Sequence, residues 1–270
     1  MEAAKVGWLA PTVRATSNLI LRTHYLRRGA NEARRTSLTG LATCYLNRRT
    51  SVILEHRGVR FLYRWGLPLG VISVRYFEPH TFRLLNMTHG TVFVDVGSSV
   101  GAYPLHFASH FRRVIALEPS REAFSVLNEN IALNGIENVR TENRSAWNRS
   151  GTVRLYHARH MVNWSSTFES PDFDVVEAVR LDELLSNENK IDIVKVDVEG
   201  SELEVVQGGL EVLKRTDRLI IEVRRETDVR ISDLLSELGF HRVELEDRTV
   251  DKNLLFTRVE EPQTWPTAKD

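Results

Sequence analysis

The stretch Val92-Phe93-Val94-Asp95-Val96-Gly97-Ser98-Ser99-Val100-Gly101 decides how the rest of the chain is read. Four β-branched or aromatic residues around a single acid give way at once to glycine, as in a short buried strand that ends in a tight turn. Glycines at 97 and 101 let the backbone turn sharply and approach a ligand, and the helical pattern over 102–110 then offers free N–H groups to an anionic group. Pro104 falls in the first helical turn, where a missing donor costs little. The spacing is G-x-x-x-G with Asp95 just ahead of it, not G-x-G-x-x-G, so the middle glycine that admits a pyrophosphate is absent. Taken alone, the segment is also readable as a structural turn between strand and helix.

The next apolar run, 114–117, ends in Glu118-Pro119-Ser120, and Glu118 lies 21 positions beyond Gly97. An acid at the tip of the second strand, about 20 residues past the glycine turn, is placed to accept both hydroxyls of a ribose. In isolation Glu118 would equally serve the dipole of the following helix, with Ser120 as its N-cap. A third strand, 191–196, leads into Asp197-Val198-Glu199-Gly200 and a helix over 201–213. Lys195, Asp197 and Glu199 alternate near the end of this apolar strand, so one face is expected to carry all three, where open α/β sheets bind ligands. Charges there cost free energy unless paired or used, and the plain alternative is an internal Lys195–Glu199 ion pair. Gly208-Gly209 inside the helix costs about 1 kcal/mol per glycine relative to alanine, which implies close packing or a break.

Working outward, strand candidates at 92–96, 114–117, 139–142, 191–196, 219–223, 242–246 and 254–257 are separated by helical patterns at 102–110, 121–134, 201–213 and 229–238. Such alternation means βαβ units and an α/β fold: a Rossmann-like, doubly wound, mainly parallel sheet covered on both faces. Ahead of it, Val59, Phe61, Tyr63 and Trp65 alternate with Arg60 and Arg64 after an Arg57-Gly58 turn, a β-hairpin pattern, and a short helix is expected over 78–86. The expected organisation is a basic helical extension over 1–50, a hairpin and helix lead-in over 51–90, the α/β domain over 91–260 and a tail over 261–270.

The chain has 270 residues, 42% hydrophobic and 27% charged, with a formal net charge of +0. Residues 1–50 nevertheless hold nine Lys or Arg against Glu2 and Glu32, so they carry +7 and the remainder −7. This arm reads as a contact for an anionic surface, an Arg-rich targeting segment, or a cap helix with its arginines in solvent. The single cysteine, Cys44, excludes an intrachain disulfide framework and a cysteine-based zinc site, and no metal scaffold is visible. No apolar run approaches the ~20 residues of a membrane span, and no apolar leader follows the first charge. A cytoplasmic protein is expected, with the basic arm as a peripheral membrane contact. Aromatics do not interleave with the basic arm, so no nucleic acid is expected. Sequons at Asn86, Asn143, Asn148 and Asn163 carry little weight without a leader.

Five segments carry a resemblance: Asp95-Val-Gly-Ser-Ser-Val-Gly101, Leu117-Glu-Pro-Ser120, Leu133-Asn-Gly-Ile-Glu-Asn-Val139, Val179-Arg-Leu-Asp-Glu-Leu184 and Lys195-Val-Asp-Val-Glu-Gly-Ser-Glu-Leu-Glu204. Over about residues 76–225 the chain resembles the FkbM-type family of S-adenosylmethionine-dependent methyltransferases, with Lys-x-Asp-x-Glu-Gly the most specific part. It departs from that pattern at Ser98-Ser99, where Ala-Asn is usual, and at Tyr103-Pro104. The resemblance implies a class I methyltransferase fold and S-adenosylmethionine as cofactor. Asp95, Gly97, Ser98 and Gly101 would hold the methionine end, Glu118 with Pro119 the ribose, and a residue among Asn143 to Ala146, with Ser145 and Ala146 the candidates, the adenine. It also implies hydroxyl acceptors on sugars, glycolipids or other small metabolites.

Methyl transfer from a sulfonium is an in-line displacement, and an alcohol acceptor gains from a general base, worth typically 10² to 10⁴-fold. Asp197 or Glu199 is expected in that role, with Lys195 orienting carboxylates or acceptor. His157 and His160, in an insertion running to Trp164-Ser165-Ser166-Thr167, could line the acceptor pocket, and a histidine could be the base instead; as H-x-x-H they are poor evidence for a metal. Two other readings compete: a nicotinamide-dependent oxidoreductase on the same sheet, which the missing glycine disfavours, and an inactive scaffold with a basic surface-binding arm.

Overall fold

The computed structural model describes residues 51–56, 58–64, 78–157, 165–166, 172–247 and 251–259. The basic extension over 1–50, Trp65, His160, Trp164, the side chain of His157 and the tail over 261–270 lie outside the described residues.

A hairpin of β1 (Ser51–His56) and β2 (Val59–Arg64) opens the described part, followed by helix α1 (Pro79–Met87). The α/β domain then runs β3 (Gly90–Val96), α2 (Ala102–Phe107) with a 3-10 turn at Ala108–His110, β4 (Phe111–Leu117), α3 (Arg121–Leu133) and β5 (Val139–Glu142). After an inserted segment come α4 (Leu181–Leu184), β10 (Ile191–Val196), α5 (Glu202–Gly208), α6 (Leu210–Lys214), β11 (Thr216–Arg224), α7 (Asp228–Glu237), β12 (His241–Asp247) and β13 (Asp251–Thr257). The seven-stranded sheet has the order β12-β13-β11-β10-β3-β4-β5. Its five strands from β11 to β5 are parallel, and β13 runs antiparallel to both β11 and β12.

Successive strands grow outward from β3 through β4 to β5, and then the chain returns to lay β10 on the other side of β3. That reversal makes the carboxyl ends of β3 and β10 the switch point, where a doubly wound sheet leaves a crevice. The two faces bury different cores, because alternate residues of a strand point opposite ways. Val92, Val94 and Val96 face Leu203, Val206, Leu213 and Ile231 of the later helices. Phe93, Ile193, Ile220 and Leu255 face Phe82 and Leu85 of α1 and Tyr103 and Phe107 of α2.

Three departures from the sequence expectations have physical causes. The single helix expected over 201–213 is broken at the glycine pair, and a Cβ on Gly208 would come within 1.9 Å of the Trp147 carbonyl oxygen, so the break admits a neighbouring backbone. The insertion, in which only a strand over 151–156 is expected from the sequence, contributes β6 (Ser145–Ala146), β7 (Gly151–His157), β8 (Ser165–Ser166) and β9 (Phe173–Val179) to a second sheet of order β6-β9-β7-β8. Its strand β9 escapes a period-two reading because Asp174 and Glu177 stand three apart and Val175 is exposed. Lys195, Asp197 and Glu199 do not share a row, since β10 ends at Val196 and Glu199 takes a left-handed backbone, φ +54°.

Asn130 and Asn134 of α3 fasten the hairpin to the domain. Asn134 accepts from Arg60 N at 2.8 Å and donates to Arg60 O at 2.7 Å, while Asn130 Oδ1 accepts from Leu62 N at 2.6 Å. The Nδ2 of Asn130, a fully buried residue, donates at 2.9 Å to the carbonyl of Val100 in the glycine turn. Among the described residues no helix is long and apolar enough to cross a membrane.

Candidate active site

The turn after β3 closes on the strands beside it. Gly97 N and Ser98 N both donate to Leu117 O, at 3.0 and 2.9 Å, and Gly101 N donates to Ser98 O at 2.8 Å. Gly97 has φ +88°, and a Cβ there would lie 1.8 Å from the carbonyl oxygen of Asp197, so glycine is required on both conformational and steric grounds. The turn thereby rests against the chain leaving β10. Ser99 holds a left-handed backbone, φ +50°, which costs a non-glycine residue about 1–2 kcal/mol.

Glu118 sits between the two loops, 7% exposed. Its Oε2 accepts from Ser99 N and its Oε1 from Ser120 N, each at 2.8 Å. Burial pushes its carboxyl up to about 7, and the two N–H bonds oppose that rise. Asn143 Nδ2 donates to the carbonyls of Glu118 and Pro119, at 2.8 and 3.1 Å. Pro119, Arg121, Asn143 and Arg144 line a cleft of about 400 Å³ between the main sheet and β9. Ser145 is engaged in pairing with Ala178 and Ala146 is buried in the core, so within the expected 143–146 segment it is Asn143 that stands beside Glu118.

On the α1/α2 face, Asp95 and Lys195 are directly opposed across β3 and β10. Asp95 is 1% exposed, and neither of its carboxylate oxygens has a hydrogen-bond partner. Burial raises its pKa to about 6, against the pull of Lys195. The Lys195 ammonium lies 3.0 Å from Asp197 Oδ2 and 4.4 Å from the centre of the Tyr103 ring. Burial at 2% exposure disfavours its charge, but Asp197, Glu78 and Asp95 together outweigh burial and raise its pKa, so it stays protonated. The Tyr103 hydroxyl donates to Glu78 Oε2, and burial followed by that carboxylate lifts the phenol well above its ordinary value. The ion pair is therefore Lys195–Asp197 and not Lys195–Glu199. Glu199 instead turns toward Arg224, whose Nη2 lies 3.9 Å from its carboxylate, and burial, helped by Asp197, raises it to about 8.

Six predicted residues thus surround the switch point: Asp95, Gly97, Ser98, Glu118, Lys195 and Asp197. Glu199 and Gly101 border it. Sequence reasoning missed Glu78 and Glu222, each of which brings a carboxylate oxygen within 4.8 Å of one on Asp197. Glu78 precedes Pro79 and reads locally as a helix start, and Glu222 reads as one charge in an apolar strand; only the tertiary fold unites them. The assembled groups suit a ligand that carries positive charge and hydroxyls, and they hold one lysine-anchored carboxylate able to take a proton.

A model of the methyltransferase FkbM domain matches residues 95–242. Methyltransferase sdnD of Sordaria araneosa is 24% identical over 204 residues, covering 61% of this chain and 79% of that protein. Hexuronic acid methyltransferase AglP of Haloferax volcanii is 30% identical over 148 residues, covering 53% of this chain and 60% of that protein. Among solved structures, methyltransferase FkbM from Methylobacillus flagellatus superposes with a TM-score of 0.48 at 16% identity, covering 89% of this chain and 60% of that one.

Proposed function

We propose, from the premise that this chain belongs to the FkbM methyltransferase family, that it transfers a methyl group from S-adenosylmethionine to a hydroxyl oxygen of a sugar, glycolipid or other small metabolite. The observation that carries this reading is the Lys195–Asp197 pair set directly against the glycine turn, with the Asp197 main chain under Gly97. When bound, S-adenosylmethionine supplies a methyl carbon activated by a positively charged sulfur. The orphaned, buried carboxylate of Asp95 fits the ammonium of such a ligand, because a buried carboxylate with no donor is costly until one arrives. Glu118 spends one lone pair of each oxygen on backbone N–H groups and keeps others for the ribose hydroxyls. Ser98 and the turn at Gly97 and Gly101 border the methionine end, and Pro119 and Asn143 the adenine side.

Asp197 would take the proton of the acceptor hydroxyl as the oxygen–carbon bond forms and the carbon–sulfur bond breaks, its electron pair staying on sulfur. Lys195 holds that carboxylate in place through its bond to Oδ2, and its own position is fixed by the Tyr103 ring. The hexuronic acid methyltransferase among the relatives favours a sugar as acceptor. The test is twofold. S-adenosylhomocysteine should raise the melting temperature, and a labelled methyl group should pass to a hydroxylated acceptor in a form that survives mild alkali, as an ether does and an ester does not. No stabilisation by S-adenosylhomocysteine would refute the cofactor assignment, and label released by mild alkali would refute O-methylation at a hydroxyl.

A further inference from the structure

We infer that Asn130 is a positioning residue for the glycine turn, and that docking of the β1–β2 hairpin and binding of S-adenosylmethionine are linked through it. This rests on the assignment of the turn to the methionine end of that cofactor. Asn130 is fully buried within α3, where asparagine is a poor helix former and an unbonded amide costs free energy. Two bonds account for its presence: Oδ1 accepts from Leu62 N of β2 at 2.6 Å, and Nδ2 donates to Val100 O at 2.9 Å. Turning the amide over would set Nδ2 against an N–H and Oδ1 against a carbonyl, so each bond fixes the orientation that the other needs.

The Val100 carbonyl shares its peptide with Gly101 N, which donates to Ser98 O at 2.8 Å, and Gly101 itself holds φ +97°. Two peptides earlier, Ser99 N donates to Glu118 Oε2. The bond from Asn130 therefore orients the turn that presents Ser98 and serves Glu118. Leu127, three residues before Asn130 on the same stripe of α3, packs under this turn, since a Cβ on Gly101 would lie 2.7 Å from its Cδ1. The hairpin in turn touches both helices that flank the bend. Asn134, four residues beyond Asn130, holds Arg60 through its N and O, and the Phe61 ring stands 5.6 Å from that of His106 in α2. A lone two-stranded hairpin is marginal in water, so contacts of this kind keep it in place. When it lifts, Asn130 loses Leu62 and is free to turn away from Val100. A ligand that favours the set turn then favours the docked hairpin by the same factor that undocking weakens the ligand.

The test uses the full chain with S-adenosylhomocysteine as the probe. Asn134→Ala, which releases Arg60 and leaves the Asn130 amide in place, should weaken S-adenosylhomocysteine binding about three- to tenfold, as loss of one hydrogen bond predicts. Asn130→Ala should weaken it at least as much, and in that background Asn134→Ala should have no further effect. Unchanged affinity in Asn134→Ala alone, or an equal loss with and without Asn130, overturns the inference. A second measurement follows amide hydrogen exchange over 59–62 in Asn134→Ala: exchange should be faster than in the wild type, and saturating S-adenosylhomocysteine should slow it by the factor lost in affinity. A purely structural Asn130 would leave this exchange indifferent to the ligand, and that result overturns the inference; it decides alone if Asn130→Ala lacks the native circular dichroism spectrum. Wild-type protein that binds no S-adenosylhomocysteine refutes the cofactor assignment and this inference with it, whereas binding that ignores the hairpin refutes the inference only.

Discussion

The two edges of the main sheet are made by the same strands and carry charged residues alike, yet they treat those residues in opposite ways. At the amino edge Asp192 Oδ2 accepts from Thr91 N and Val92 N at 2.7 and 2.8 Å, and Asn138 Nδ2 donates to the carbonyls of Ala108 and Phe111 at 2.8 Å each. Lys190 meets Asp217 there at 2.8 Å. At the carboxyl edge Asp95 has no partner, the carboxyl groups of Glu118 and Glu199 are raised to about 7 and about 8, and Ser99 and Glu199 hold left-handed backbones. Neither orphaned carboxylates nor left-handed non-glycine residues stabilise a fold, so their concentration at one edge marks where this chain gives up stability for binding and chemistry.

Experiments that treat the two edges separately can break that contrast. The largest effect is expected at the carboxyl edge: Asp197→Asn should lower kcat by about 10² to 10⁴-fold, with S-adenosylhomocysteine affinity changed less than about threefold. Equal loss of affinity and turnover would mean that Asp197 holds the cofactor and is not the base. Next comes the pH dependence of stability. The folded pKa of Glu118 lies near 7 against an ordinary 4.5, so between these values the folded protein keeps a proton that the unfolded chain has lost. Its contribution is full below about pH 4.5 and is lost as pH rises through about 7, and Asp95, raised to about 6, acts with the same sign. Glu199, raised to about 8, adds to the loss with the same sign, so urea unfolding should show stability falling between pH 5 and pH 8, and Glu118→Gln should reduce that fall by about 2–3 kcal/mol. The same substitution should weaken S-adenosylhomocysteine binding about 10 to 100-fold at pH 8, as loss of hydrogen bonds to a charged group predicts, measurable by calorimetry. The smallest effect belongs to the amino edge. Asp192→Ala should cost about 1–2 kcal/mol of stability and leave cofactor affinity and the pH slope intact; a change in either would erase the distinction between the edges.

The sheet was legible because its central strands are apolar runs stopped by glycine or charge and its outer ones fall between helical patterns: 139–142 and 191–196 match β5 and β10 residue for residue, and the others differ only at their ends. The switch-point residues Gly97, Glu118 and Asp197 were legible because each follows a strand directly, and Asp95 because it is the single charge within β3. What local pattern could not convey was pairing across long loops. Lys195 has two acids among the next four residues, Asp197 and Glu199, and only the left-handed turn at Glu199, which throws that side chain toward Arg224, leaves Asp197 as its partner. Glu78 joins the site from ahead of the domain, through Tyr103, a contact with no period and no motif. Of the second sheet only β7 was legible, because β9 turns Phe173 and Val175 outward, which is the reverse of the pattern by which strands are recognised.

The amide of Asn130 grips Leu62 with its oxygen and Val100 with its nitrogen, so the hairpin and the glycine turn share a single side chain. Mechanically this is a coupling rod. A displacement of the hairpin reaches the glycine bend through one planar group.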